Sequence, residues 1–352
     1  MDDLTAAPSS DADEAPADDL RSPDGFLSAV GALSPLDREL IHALQADGRA
    51  SYASLAAHVG VTEKIVRGRV NALRAAGVID ITTVTDPGAL GYRYVSLIGI
   101  RATGVGSLQI ATRLAHLEGV DYVVVTTGRY NLLVELFSRT LADLREVVDS
   151  RIQALPGVID VEVYPYLSLY YQEGEFATVQ AKPQRDLGRG EPVTEFDAID
   201  KAIVNRLNAN GRESFRTLGT ELSISETQVR RRVARMQDAG ALRVMAIANP
   251  MSLGFEVVAF VGVDCAPPAS TVDVAEALSN LASVTYVAIC AGRFNIWAEI
   301  VCTSMEDMLR ILDSGVRQIA GVRAVEPFVY LDLQYRRVQP ASSPSSGADR
   351  SS

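Results

Sequence analysis

The stretch SYASLAAHVGVTEKIVRGRVNALRAAGVI, residues 51–79, decides the reading of this chain, because it returns as SFRTLGTELSISETQVRRRVARMQDAGAL at residues 214–242. In the first copy Leu55, Ala56 and Val59 follow Ser51 at helical spacing, and Gly60 ends that short helix. Thr62 then opens a helix whose apolar face is Val66, Val70 and Leu73, and Gly77 stops it. The second copy repeats the plan with Leu218 and Leu222, then Val229, Val233 and Met236, then Gly240. A longer helix precedes each pair. Leu36, Leu40, Ile41 and Leu44 lie behind Ser34-Pro35, and Ile199, Ile203 and Leu207 mark its counterpart. Two short helices across a tight turn, after a longer first helix, spell a helix-turn-helix.

The repeat extends well beyond this stretch. Asp37, Gly48-Arg49, Leu55, Arg67, Arg69-Val70, Ala76-Gly77, Pro87 and Leu90-Gly91 recur 163 positions later as Asp200, Gly211-Arg212, Leu218, Arg230, Arg232-Val233, Ala239-Gly240, Pro250 and Leu253-Gly254. From Gly128-Arg129, Asn131, Glu135 and Gly157-Val158 the offset becomes 164, to Gly292-Arg293, Asn295, Glu299 and Gly321-Val322. A period this long is domain-sized and means duplication of a whole folding unit. After each helix-turn-helix the pattern reads strand, helix, strand, strand, helix, strand. In the first copy the strands cover 92–101, 122–127, 132–139 and 159–169, with helices over about 107–117 and 141–155. In the second the strands cover 256–264, 285–291, 296–303 and 324–332, with helices over about 271–281 and 305–319.

The expected fold class is therefore α+β: two copies of a three-helix, winged-type helix-turn-helix, each followed by a ferredoxin-like βαββαβ domain. The expected divisions are an acidic disordered tail (1–33), a first helix-turn-helix domain (34–84), a first ferredoxin-like domain (85–171), a linker (172–195), a second helix-turn-helix domain (196–247), a second ferredoxin-like domain (248–335) and a disordered tail (336–352).

At 352 residues and 47% hydrophobic, the chain can build several cores of domain size. It has no apolar run of the ~18–20 residues that cross a bilayer and no secretory signal at its start, so no membrane partner is expected. Cys265, Cys290 and Cys302 all fall in the second copy, an odd set that is no disulfide framework and points to the cytoplasm. The net charge of −11 argues at first against nucleic acid, but residues 1–25 hold eight acids against Arg21 and leave the body near neutral. Binding to DNA then depends on local basic faces.

Two such faces are present. The helix after Thr62 sets Lys64, Arg67, Asn71 and Arg74 opposite its apolar side, with Arg69 flanking. Its counterpart sets Thr227, Gln228, Arg230, Arg231 and Arg235 opposite Val229, Val233 and Met236, with Arg232 flanking. Arginine and lysine pair with phosphates or base edges, and asparagine and glutamine read adenine in a major groove. The bland alternative is a solvated helix face. Position on the last helix of a helix-turn-helix, twice, favours double-stranded DNA.

These motifs resemble the Lrp/AsnC transcriptional regulators, over about 34–169 and again over about 196–333. The carriers are Leu36-Asp37, Gly48-Arg49, Leu55-Ala56, Val59-Gly60-Val61-Thr62, Arg69-Val70, Leu73, Gly77-Val78-Ile79, Pro87, Leu90-Gly91, Gly128-Arg129-Tyr130-Asn131 and Leu155-Pro156-Gly157-Val158. The resemblance implies sequence-specific transcriptional regulation, dimerisation through the effector domain, further assembly into homo-oligomers, and response to a small molecule such as an amino acid. It implies Gly128, Arg129 and Asn131, with Gly292, Arg293 and Asn295, as effector-binding residues. Asparagine stands where the family commonly carries an aspartate, which removes the negative charge that would pair with an α-ammonium group. An arginine in a hairpin turn is otherwise simply solvated, and the glycines serve turn geometry first. The family ordinarily has one copy per chain; fusion of two implies an intramolecular pseudo-dimer with its effector sheets facing each other.

An enzyme of the same architecture is the alternative. Sirohaem decarboxylases carry an aromatic-Asn-apolar run similar to Tyr130-Asn131-Leu132 and Phe294-Asn295-Ile296, and depend on histidines in and around their central strands. Here His42 and His58 fall in the helix-turn-helix and His116 at the end of an effector-domain helix. The expectation is a non-enzyme with no cofactor and no metal site, with Trp297 and Phe294 as core or interface and Cys290 and Cys302 as buried thiols.

Overall fold

The computed structural model describes residues 33–172, 195–248 and 255–335. The expected tails and linker, apart from their end residues, and the repeated Pro250 and Leu253-Gly254 lie outside the described residues.

Each copy begins with three helices: α1 (Pro35–Ala46), α2 (Tyr52–Val59) and α3 (Glu63–Ala75), then α6 (Ala198–Ala209), α7 (Phe215–Glu221) and α8 (Glu226–Asp238). All six are capped by a side chain that accepts from a backbone N–H of the first turn, from Ser34, Ser51, Thr62, Asp197, Ser214 and Ser225. The apolar faces read from sequence are the buried ones: Val66, Val70 and Leu73 on α3, and Val229, Val233 and Met236 on α8.

The strand after each helix-turn-helix, β1 (Ile79–Thr85) and β6 (Leu242–Ala248), is no wing hairpin of its own copy. The two pair antiparallel with each other along their full length, and Thr82 stands opposite Met245, its own repeat counterpart. A strand pair centred on equivalent residues has a local two-fold axis through that point. The segment at 89–92, assigned from sequence to the first effector domain, also crosses over. Ala89, Leu90 and Tyr92 pack among Ile203, Val204, Leu207 and Val233 of the second helix-turn-helix, so a boundary at 84/85 does not separate two cores.

The α/β units are β2 (Tyr94–Ala102), α4 (Ser107–Leu114), β3 (Val120–Thr126), β4 (Leu132–Ser138), α5 (Leu141–Glu146) and β5 (Val158–Gln172), then β7 (Val257–Cys265), α9 (Thr271–Ser279), β8 (Val284–Cys290), β9 (Ile296–Cys302), α10 (Met305–Arg310) and β10 (Val322–Tyr335). Helices α5 and α10 widen into π-turns over Val147–Ile152 and Ile311–Gly315 instead of running on as regular α-helix. The two sheets do more than face each other. They join at both edges into one closed eight-stranded barrel, in the order β10-β3-β4-β2-β5-β8-β9-β7.

Closure depends on the long last strands. β5 pairs with β2 as far as Pro165 and from Tyr166 with β8 of the other copy, its register shifting between Tyr166 and Ser168. β10 likewise leaves β7 after Val329 and pairs with β3 from Tyr330. The outer sheet faces pack on the helices, through clusters such as Ile98, Ile110, Leu114 and Val134 in one copy and Val261, Val274, Leu278 and Ile300 in the other. The interior is filled with aromatic side chains, among them Tyr130, Tyr164, Phe260, Phe294, Trp297 and Phe328.

Candidate nucleic-acid interface

The two helix-turn-helix units are held together by a reciprocal clamp. Arg49, on the loop after α1, donates from Nη1 to the Gly211 carbonyl (2.5 Å) and from Nη2 to that of Glu213 (3.0 Å). Arg212 answers with bonds to the carbonyls of Gly48 (2.9 Å) and Ala50 (2.8 Å). Each guanidinium also lies over a ring, Arg49 on Phe215 at 4.2 Å and Arg212 on Tyr52 at 4.5 Å. The preceding glycines make the close approach possible. A Cβ on Gly48 would come within 2.8 Å of the Met245 backbone, and one on Gly211 within 2.7 Å of the Ile81 carbonyl. Their N–H groups bond to the carbonyls of Val244 (2.9 Å) and Ile81 (2.7 Å). Helical spacing assigns no role to Arg49 or Arg212, although the repeated Gly-Arg dipeptide in a loop is the visible sign of one.

On α3 and α8 the structure divides the basic residues into two groups. Arg69 is anchored: both its Nε and Nη2 bond the Asp37 carboxylate, which is almost wholly buried on α1. Arg232 bridges Asp197 and Asp200, and Arg235 bonds the other oxygen of the buried Asp200. Burial pushes the Asp37 carboxyl up, but the bonds from Arg69 and Ser34 outweigh it and hold the group below the usual range. A guanidinium spent on neutralising a buried carboxylate ties the third helix to the first.

Arg67 and Arg230 sit in surface pairs with Glu63 and Glu226, one turn back, and lie near the rings of Tyr52 and Phe215. Arg74 reaches across the copies to Asn210 Oδ1 at 3.4 Å. Gln228 caps its own helix, its Oε1 accepting from the Ser225 N–H at 2.9 Å. Lys64, Asn71, Thr227 and Arg231 are exposed, and among the described residues Lys64 and Arg231 are in no ion pair.

The effector-domain residues lie at the hairpin turns near the barrel seams. Asn131 Oδ1 accepts from the Ala102 N–H at 2.7 Å, and Asn295 Oδ1 from that of Cys265 at 2.8 Å. Each asparagine pins its turn to the end of the neighbouring strand. Arg129 faces Glu326 at 3.5 Å and Arg293 faces Glu162 at 3.7 Å, each pair crossing from one copy to the other. Gly128 and Gly292 have positive φ, and a Cβ on Gly292 would stand 2.7 Å from the Tyr164 ring.

Inside the barrel two carboxylates lie near the seams, Glu135 buried and Glu299 part-buried. Glu135 accepts from Tyr166 (3.0 Å) and from Tyr286 of the other copy (2.6 Å), and burial pushes it up to about 8. Glu299 accepts from Tyr330 (2.6 Å) and Thr285 (2.8 Å), and burial raises it too. The sequence showed the pair as a repeat without a role. Cys290 faces this interior while Cys302 lies in the outer core against Met308, so the two thiols occupy opposite faces of the sheet. None of the three histidines is on a barrel strand.

Known proteins match this layout. The AsnC-type helix-turn-helix domain model matches twice, at residues 33–74 and 196–237. The Lrp/AsnC ligand binding domain matches residues 96–176, and the PF0864 C-terminal dimeric alpha+beta barrel domain matches residues 258–338. The HTH-type transcriptional regulator PH0140 of Pyrococcus horikoshii is 30% identical over 148 residues, 41% of this chain and 93% of that protein. The regulator LrpA of the same organism is 33% identical over 138 residues, 39% of this chain and 97% of its own length. Among solved structures, the siroheme decarboxylase NirDL superposes on 87% of this chain and 94% of its own with a TM-score of 0.60, at 17% identity, a likeness of fold alone. Two matched helix-turn-helix units, each joined to an effector-type α/β unit, place this chain in the Lrp/AsnC family, in tandem duplication.

Proposed function

We propose that this protein is a sequence-specific DNA-binding transcriptional regulator whose two reading helices, α3 and α8, enter successive major grooves on one face of the duplex. The observation that carries this reading is the clamped, two-fold pairing of the helix-turn-helix units, through β1 and β6 and through Arg49 and Arg212. It presents the two helices as a fixed pair, as an operator with two half-sites requires. Lys64, Asn71, Thr227 and Arg231 are the contacts on the outward faces, with Arg67, Arg74, Gln228 and Arg230 beside them.

A small-molecule effector fits the hairpin turns at Gly128-Arg129 and Gly292-Arg293. Their ion pairs with Glu326 and Glu162 are exposed and long, of the kind worth about 0–1 kcal/mol, and a ligand carboxylate can displace them. The decarboxylase alternative has the likeness of fold, but its histidine chemistry finds no histidine on the barrel strands.

Titrating salt against the full chain bound to DNA fragments tests the proposal. Affinity should fall steeply between about 50 and 200 mM salt, and Arg231→Ala should weaken it. Binding indifferent to both would overturn the reading.

A further inference from the structure

The outward line of each reading helix, opposite its buried residues, differs between the copies at one decisive position. On α3 that line is Lys64, Gly68 and Asn71; at the repeat-equivalent positions on α8 it is Thr227, Arg231 and Ala234. Arg67, Arg69, Arg230, Arg232 and Arg235, off this line, are in ion pairs, and Arg74 bonds Asn210. On these outward lines each helix keeps one cation, Lys64 and Arg231, in no ion pair among the described residues, and the two sit on different turns. Lys64 corresponds to position 227 and Arg231 stands four residues later, about 6 Å along a helix that rises ~1.5 Å per residue. That is close to two base-pair steps of ~3.4 Å.

Gly68 is the other half of the difference. It occupies a helix interior, where glycine costs about 1 kcal/mol relative to alanine. The fold does not ask for it: its φ is not positive, and a Cβ there would meet nothing within 4 Å. What glycine does provide is a bare backbone on the face that meets the groove.

We infer that the chain reads a non-palindromic site, and that the pair Gly68 and Arg231 makes it so. In the half-site under α8, Arg231 donates two parallel bonds to guanine O6 and N7. Under α3 the bare surface at Gly68 lets the helix seat more deeply, with Asn71 reading adenine and Lys64 one turn earlier. This inference rests on the DNA-binding reading and deepens it.

Selection of bound sequences from random double-stranded DNA, with the full chain, tests it. The wild type should enrich a motif with guanine at the Arg231 position in one half-site only. Gly68→Arg, which has open space for its side chain, should gain guanine at the symmetric position and turn the motif towards a palindrome. Arg231→Ala should lose the guanine preference, with affinity for the wild-type motif down roughly ten-fold or more. Unchanged melting temperatures verify that both variants are folded. A palindromic wild-type motif, or a Gly68→Arg motif identical to wild type, would overturn the inference and leave DNA binding standing. Failure of all three proteins to enrich any sequence would instead remove the DNA-binding reading, and the inference with it.

Discussion

Asp37 sits almost sealed from solvent on α1, and Arg69 closes over it from α3. Removing the arginine strands a carboxylate away from water. Because the guanidinium is itself half exposed, Arg69→Met should cost about 1–3 kcal/mol, below the ~3–5 kcal/mol of a fully buried pair. Arg231→Met, on the outward face, should stay within about 0.5 kcal/mol, and urea denaturation of both variants distinguishes the roles. Helical spacing showed which face each arginine occupied, but partners come from another helix, and periodicity within one helix cannot name them. The readable sign was that Asp37 and Arg69 recur together as Asp200 and Arg232. Glu135 carries a second prediction at this scale. Its carboxyl rises from 4.5 to about 8 on folding, so the folded state favours the protonated form. Stability from this group is complete below about pH 4.5 and is lost as pH rises through 8. Glu135→Gln keeps an acceptor for Tyr166 and Tyr286 and should flatten the fall in melting temperature between pH 5 and 8.

Among the elements, the loops after α1 and α6 do unexpected work. Each clamp arginine makes two charge-assisted bonds to carbonyls of the other copy. Arg49→Ala should therefore cost about 2–3 kcal/mol. It should also weaken DNA binding although Arg49 lies off the reading helices, because the spacing of α3 and α8 is no longer enforced. Denaturation and binding measured on the same variant check both effects. The element order was legible throughout, since alternation and helical spacing are local signals. The ends of β5 and β10 were not: a register shift at Tyr166/Ser168 or Tyr330/Asp332 inverts the two-residue alternation where the strand changes partner. The π-turns after α5 and α10 left no mark for the same reason, since a one-residue insertion hides inside an apolar run.

For the whole molecule, three strand pairings among the described residues join the two copies, β1 with β6, β5 with β8 and β10 with β3. Covalent continuity between residues 172 and 195 should thus be dispensable once the chain has folded. With a protease site introduced near residue 183 and cut in the native protein, the two fragments should co-elute in size-exclusion chromatography. Their melting temperature should now depend on concentration, whereas that of the uncut chain should not. Thr82 facing Met245, its own counterpart, carries a last consequence. A regulator assembled from separate chains loses paired readers in proportion to the square of its concentration once dilute, whereas here both readers are made in one act of translation. At concentrations where no further assembly occurs, the occupancy of the operator should follow the abundance of this protein in simple proportion, so that its genetic response to gene dosage is graded and has no dimerisation threshold.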